Sequence, residues 1–134
     1  MSDTDHPVEG LATPDPDFGP DDVIALQLDA LSTNDDPFDD AGILTAYNFA
    51  SPANRRNTGP RDRFVAMVTS PRYAPLVDHV EAVSGPVDRT ANYAEQRVTV
   101  TGPDGRTRTY TFGVSVQSTG PFRGCWLTDR VVVS

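Results

Sequence analysis

Between Phe49 and Phe64 the chain reads FASPANRRNTGPRDRF, gathering Arg55, Arg56, Arg61 and Arg63 with the amides of Asn54 and Asn57 ahead of a predicted helix start. Guanidinium groups beside the free N–H groups of a helix N-terminus can hold a carboxylate or phosphate. Arg55, Arg56 and Arg61 are therefore candidate anion ligands. Charge balance favours a plainer expectation, that these arginines pair with acids of the first half of the chain. Residues 1–54 hold 11 Asp and one Glu with no basic residue, a charge of −12, while residues 55–134 hold 11 Arg against five Asp and two Glu, +4, giving −8 for the whole.

Other residues with chemical potential are few. His79 is the sole histidine outside the N-terminal stretch, flanked by Asp78 and Val80, and is the candidate general acid or base; an ordinary surface or rim imidazole is the simpler reading. Cys125 beside Trp126 is a candidate thiol, but only Arg123 lies near in sequence to lower its pKa, so a small buried hydrophobe is expected. The cluster Asp35, Asp36, Asp39 and Asp40 lacks the alternating ligands, mid-loop glycine and terminal Glu of a calcium loop, and helix capping and solvation account for it. His6, with Asp3 and Asp5, has no regular element to space ligands for a metal. No metal site and no cofactor motif is read: Gly102 and Gly105 fit a hairpin, not a phosphate-cradling turn. The aromatic residues Tyr47, Phe49, Phe64, Tyr110, Phe112 and Trp126 are a candidate pocket lining, with hydroxyls on Tyr47 and Tyr110. In a chain of 134 residues they serve equally to fill a core.

Composition bounds the function. The chain has no lysine, and its acids are mostly Asp. An acidic total lacks the clustered cations that nucleic-acid binding requires, so no nucleic-acid partner is expected. At molar salt the Debye length is about 3 Å, which lowers the self-repulsion of an acidic surface, and the balance of residues points to the cytoplasm of a salt-loving archaeon; codon bias in another GC-rich genome would explain Arg over Lys but not the acidity. The first residues show neither a basic region nor an apolar run, and no stretch is long enough to span a bilayer, so a cytoplasmic protein without membrane partner is expected. One cysteine excludes an intramolecular disulfide.

The elements that must position these residues follow from periodicity. Residues 1–17 are polar, rich in Pro and Asp and aperiodic, and read as a disordered acidic tail; residues 18–134 read as one α+β domain. Pro20 opens a helix with Asp21 and Asp22 in its first turn and Ile24, Leu28 and Leu31 on one face, ending near Ser32. A second helix, capped by Asp39 or Asp40, carries Ile43, Leu44, Tyr47 and Ala50 and stops before Pro52. Residues 54–59 read as a polar loop, and a third helix starts at Pro60 and buries Phe64, Val65, Met67 and Val68. The period then becomes two. Strands are predicted at 77–83, 92–101, 106–117 and 122–132, with a turn at Ser84, Gly85 and Pro86 and a hairpin through residues 102–105. Three helices packed on a curved four-stranded antiparallel sheet is the expected architecture.

Val23 to Leu31 with Gln27, Tyr47 to Pro52, Gly59 with Phe64 and Met67, Tyr73 with Pro75, and Gly124, Cys125 and Trp126 stand in an order and spacing that resembles the domain of unknown function 4864, over roughly residues 20–133. The resemblance implies a fold like the nuclear transport factor 2 superfamily, an α+β cone, and implies no activity. Together with the absence of an acid–base constellation, it leads to the expectation of a non-enzymatic module, monomer or homodimer, that binds a small molecule or a protein. The alternatives are a small lyase, isomerase or hydrolase using the cone with His79, Tyr47 or Tyr110, and an interaction protein acting through its acidic tail.

Overall fold

Helix α1 spans Pro20–Ser32, α2 Ala41–Asn48, α3 Pro52–Thr58 and α4 Arg61–Val68; a 3₁₀ turn at Ala74–Leu76 leads into strands β1 Glu81–Arg89, β2 Tyr93–Thr101, β3 Thr107–Val116 and β4 Trp126–Val133. The strands form an open antiparallel meander in the order β1-β2-β3-β4. This computed structural model describes residues 6–134. Residues 1–5 of the expected tail lie outside the described residues.

Helix α1 forms as its sequence dictates. Pro20 occupies the first helical position, where no N–H is missed, and the Asp22 carboxylate accepts from Gly19 N at 2.8 Å. Its face of Val23, Ile24, Leu28 and Leu31 is buried, at about 1.5–3 kcal/mol for each large side chain. A turn held by Asn34 then reverses the chain: Asn34 Oδ1 accepts from Ile43 N at 2.9 Å, Asn34 O accepts from Gly42 N at 2.8 Å, and Asp40 stands at the N-cap of α2 with φ 62°. A Cβ on Gly42 would lie 2.3 Å from the Ala30 carbonyl oxygen, so glycine is what lets α2 meet α1 this closely.

Four helices stand where three were expected. Residues 54–59, read as a loop, belong mostly to α3. The reason is local: Ser51, held extended before Pro52, accepts from Asn54 N at 3.2 Å as an N-cap, Pro52 sits at the first helical position, and Gly59 at φ 86° ends the helix. The first strand is also displaced, to Glu81–Arg89 rather than 77–83, and the supposed turn at Ser84–Pro86 lies inside it. A bulge between Ser84 and Val87 absorbs Gly85 and Pro86, which an edge strand tolerates because one side of its ladder is unpaired. Phe122, expected in the last strand, lies in the turn before it. β2 and β3 fall where alternation placed them, joined through a turn in which Gly102 N donates to Arg106 O and Gly105 takes φ 84°.

The core lies between the helices and one sheet face, where Val98, Val100, Tyr110, Phe112, Val114 and Leu127 are buried with Ile43, Phe49 and Phe64. Residues 6–19 contain no helix or strand, yet part of this segment rests on the domain. Val8 is buried, and the fully buried Asn48 grips the segment: its Oδ1 accepts from Val8 N at 2.6 Å and its Nδ2 donates to Val8 O and Ala12 O, each at 3.1 Å.

Candidate functional site

A pocket of about 230 Å³ opens between the helices and the outer edge of β4. Its apolar wall includes Leu31, Phe64, Val68, Leu76 and Phe112; its polar wall includes Gln27, Asn54, Asn57, Thr58 and Thr128. This exceeds the roughly 150 Å³ cavity that admits a benzene ring and falls below drug-sized sites.

Each polar group is placed by its element. Asn54, Asn57 and Thr58 stand at i, i+3 and i+4 of α3, so one face of that helix meets the pocket while Arg55 and Arg56 turn elsewhere. Gln27 lies on the buried stripe of α1, only 2% exposed. Its Nε2 donates to Val23 O at 3.1 Å and to Thr128 Oγ1 at 2.7 Å. Because a carbonyl only accepts, the first bond fixes which end of the amide is nitrogen. Both Nε2 hydrogens are thus spent, while Oε1 has no partner among the described residues. Thr128 Oγ1 accepts from Gln27, so its own hydroxyl hydrogen is likewise unclaimed there.

The edge of β4 completes the site. Thr128 N donates to Phe49 O at 2.7 Å, and Thr128 O accepts from Ser51 N at 2.8 Å and from Asn54 Nδ2 at 3.0 Å, so the chain before α3 covers the strand. Farther along, Tyr73 Oη donates to Val131 O at 2.9 Å. Ser134 N bonds Thr109 O, and alternation in an antiparallel ladder then turns Val131 away from β3. Its N–H meets the pocket side without a partner among the described residues. A bulge between Thr128 and Arg130 re-aims the strand here, leaving Asp129 unpaired with β3.

The candidate residues read from sequence are scattered. Phe64 and Phe112 line the pocket. Tyr47 packs edge-on against Phe64 at 5.3 Å, Phe49 is wholly buried, and Trp126 lies under the Arg89 guanidinium at 5.2 Å, none of them in the lining. Tyr110 is buried, with its hydroxyl donated to Arg72 O at 2.8 Å, and burial pushes its pKa up to about 12. His79 is buried outside the lining, and its Nδ1 donates to Leu76 O at 2.8 Å. Burial raises the Cys125 thiol, with Asp15 adding to the shift, the environment of an inert cysteine.

Arg55, Arg56 and Arg61 do not line the pocket either. The expectation that Arg55 and Arg56 pair with acids of the first half is corrected: the ion pairs among the described residues are Arg106–Asp104 and Arg130–Glu95. Arg55 and Arg56 occupy the last turn of α3, where the negative end of the helix dipole already favours a cation. Among the described residues no group of three His, Cys, Asp or Glu could hold a metal, and no helix is long and apolar enough to cross a membrane.

Arg130 carries its charge to the opposite sheet face. There it donates to Glu95 Oε2 and, at 2.9 Å, to Tyr93 Oη, which in turn donates to Glu95 at 2.8 Å. The hydrogen bonds from Tyr93 and Arg130 hold the Glu95 carboxyl below its ordinary pKa. Gly113 makes room for this cluster, since a Cβ there would lie 2.7 Å from Tyr93 Oη.

Gln27, Thr58 and Thr128 were not singled out from sequence as ligands, and Asn54 and Asn57 were read beside the arginines as amides of an anion site rather than as part of this pocket. Gln27 offered a signal, an amide set among Ile24, Leu28 and Leu31 on an apolar stripe, where burial demands a partner. The α3 triplet was hidden by reading the segment as loop. Compared with known proteins, residues 17–131 match the family model described as Domain of unknown function (DUF4864). No curated protein and no solved structure matches the chain.

Proposed function

The chain belongs to the family described as Domain of unknown function (DUF4864), and on that premise we propose that its domain is a small-molecule binding module whose ligand occupies the pocket beside β4. The observation that carries this reading is the pocket's composition: an apolar wall facing a short row of amides and hydroxyls. That is the ordinary make-up of a site that binds by burial and orients by a few polar contacts.

The enzymatic alternative has less support. His79 and Tyr110 both stand outside the lining, and Tyr110 gives its hydroxyl hydrogen to a backbone carbonyl, so neither sits in the pocket as a base beside a nucleophile. The family resemblance also supports reading the helices over the sheet as a nuclear transport factor 2-like cone, with this pocket in place of a central cavity. The Asp-rich, lysine-free composition supports a cytoplasm at molar salt, where the protein acts as a monomer or homodimer. A melting curve in low and in molar KCl tests the salt reading, and equal stability in both removes it.

The binding proposal is tested by NMR titration with benzamide and toluene at millimolar concentration. Binding moves the amide signals of Asn54, Asn57, Thr58 and Thr128 together. A titration that leaves all four in place refutes the pocket as a binding site.

A further inference from the structure

Resting on the pocket's being a binding site, we infer that its ligand is an uncharged molecule bearing a carboxamide or lactam edge attached to an apolar ring. The protein leaves two polar groups of the pocket unmatched. Gln27 and Thr128 are each 2% exposed, and both line the pocket. Their mutual hydrogen bond at 2.7 Å, with the bond from Nε2 to Val23 O, spends both Gln27 donors and one Thr128 lone pair. An acceptor, Gln27 Oε1, and a donor, the Thr128 hydroxyl, remain side by side without protein partners among the described residues.

Both groups belong to residues that line the pocket, so an occupant that displaces water there is selected by how well it replaces the lost hydrogen bonds. An amide edge places an N–H donor and a C=O acceptor next to each other, the complement of this pair. The two protein groups flank the Nε2–Oγ1 contact, and a two-atom edge reaches both more readily than one hydroxyl oxygen. A carboxylate offers acceptors only and sets an anion against Gln27 Oε1.

The charges nearby do not alter this match. The Arg130 guanidinium is held by Glu95 and Tyr93 on the other sheet face. Asp129 is the other lining residue that carries a charge at neutral pH, half-buried in the bulge. It makes an amine the principal competitor. The ring sits against Phe64 and Phe112, which line the apolar wall.

The test uses the whole protein and five probes: benzamide, toluene, phenol, benzoate and benzylamine, titrated by NMR and calorimetry. Benzamide is expected to bind at least tenfold more tightly than each of the others and to shift the Gln27 side-chain amide. Thr128→Val and Gln27→Met are expected to abolish the preference for benzamide over toluene, and Thr128→Ser to retain it. Equal affinity for toluene and benzamide overturns the amide inference while leaving the pocket as a site, as does tighter binding of phenol, benzoate or benzylamine. If no probe shifts Gln27, Asn57 or Thr128, the pocket reading and this inference fall together. The wild-type series decides the matter even if a core variant does not fold.

Discussion

Replacing Asn48 by Ala tests whether the segment before α1 is part of the fold. Three hydrogen bonds depend on that side chain, to Val8 N, Val8 O and Ala12 O. At about 1 kcal/mol net for each, the clamp contributes roughly 3 kcal/mol. The loss is capped, because a released segment recovers hydrogen bonds to water and regains about 1–2 kcal/mol of backbone entropy per freed residue, against about 1.5–3 kcal/mol for re-exposing a side chain like Val8. The expected cost of Asn48→Ala is therefore about 2–3 kcal/mol, measured by urea denaturation, with protease cleavage appearing first near Val8. The decisive measurement is a cycle. In a chain lacking residues 1–12 the same substitution should cost under about 1 kcal/mol, since the clamp has nothing left to hold. An equal cost in both backgrounds would refute the reasoning and place the role of Asn48 within α2 itself.

Three further outcomes follow from the packing. Gly42→Ala gains up to about 1 kcal/mol of helix propensity but drives a methyl into the Ala30 carbonyl, a backbone atom that cannot swing away; a net loss of about 1–3 kcal/mol in denaturant melts is expected, and an unchanged midpoint contradicts the contact. Tyr110 has its pKa raised, so its contribution is intact below its ordinary value of 10 and fades as pH climbs toward about 12; Tyr110→Phe, which leaves Arg72 O without its donor, should cost about 1 kcal/mol at neutral pH and flatten the alkaline limb of a stability profile. Glu95 has its pKa lowered by Tyr93 and Arg130, so its contribution is present above its ordinary value near 4.5 and disappears as pH falls through the depressed value. Glu95→Gln should thus differ from wild type at pH 7 and converge with it in acid, and a gap that persists in acid would assign the effect to something other than charge.

The legible parts of the fold were those in which local pattern and final packing agree. α1 has its stripe, its first-position proline and its acidic first turn, and β3 alternates Tyr110, Phe112 and Val114 with polar residues. Glycine and proline misled where context reversed their usual meaning. Ser51 and Pro52 start a helix as readily as they end one, and Gly85 with Pro86 marks a bulge as readily as a turn; the choice depends on whether β2 passes alongside. The candidate site was less legible still. Gln27 and Thr128 are 101 residues apart in sequence, and no local spacing announces that pair. The aromatics announced themselves plainly, yet most of them fill the core.

The bulge in β1 bears on how copies of this protein meet one another. At molar salt the Debye length is about 3 Å, so a charge of −8 no longer keeps molecules apart at the range where strands begin to pair. β1 is an edge strand exposed along nearly its whole length, with Val83 60% exposed, and such an edge is a template for adding a foreign strand. Pro86 withholds a donor in its middle and the bulge breaks its register. Shape therefore takes over the guard against sheet-to-sheet aggregation that electrostatic repulsion provides in dilute salt.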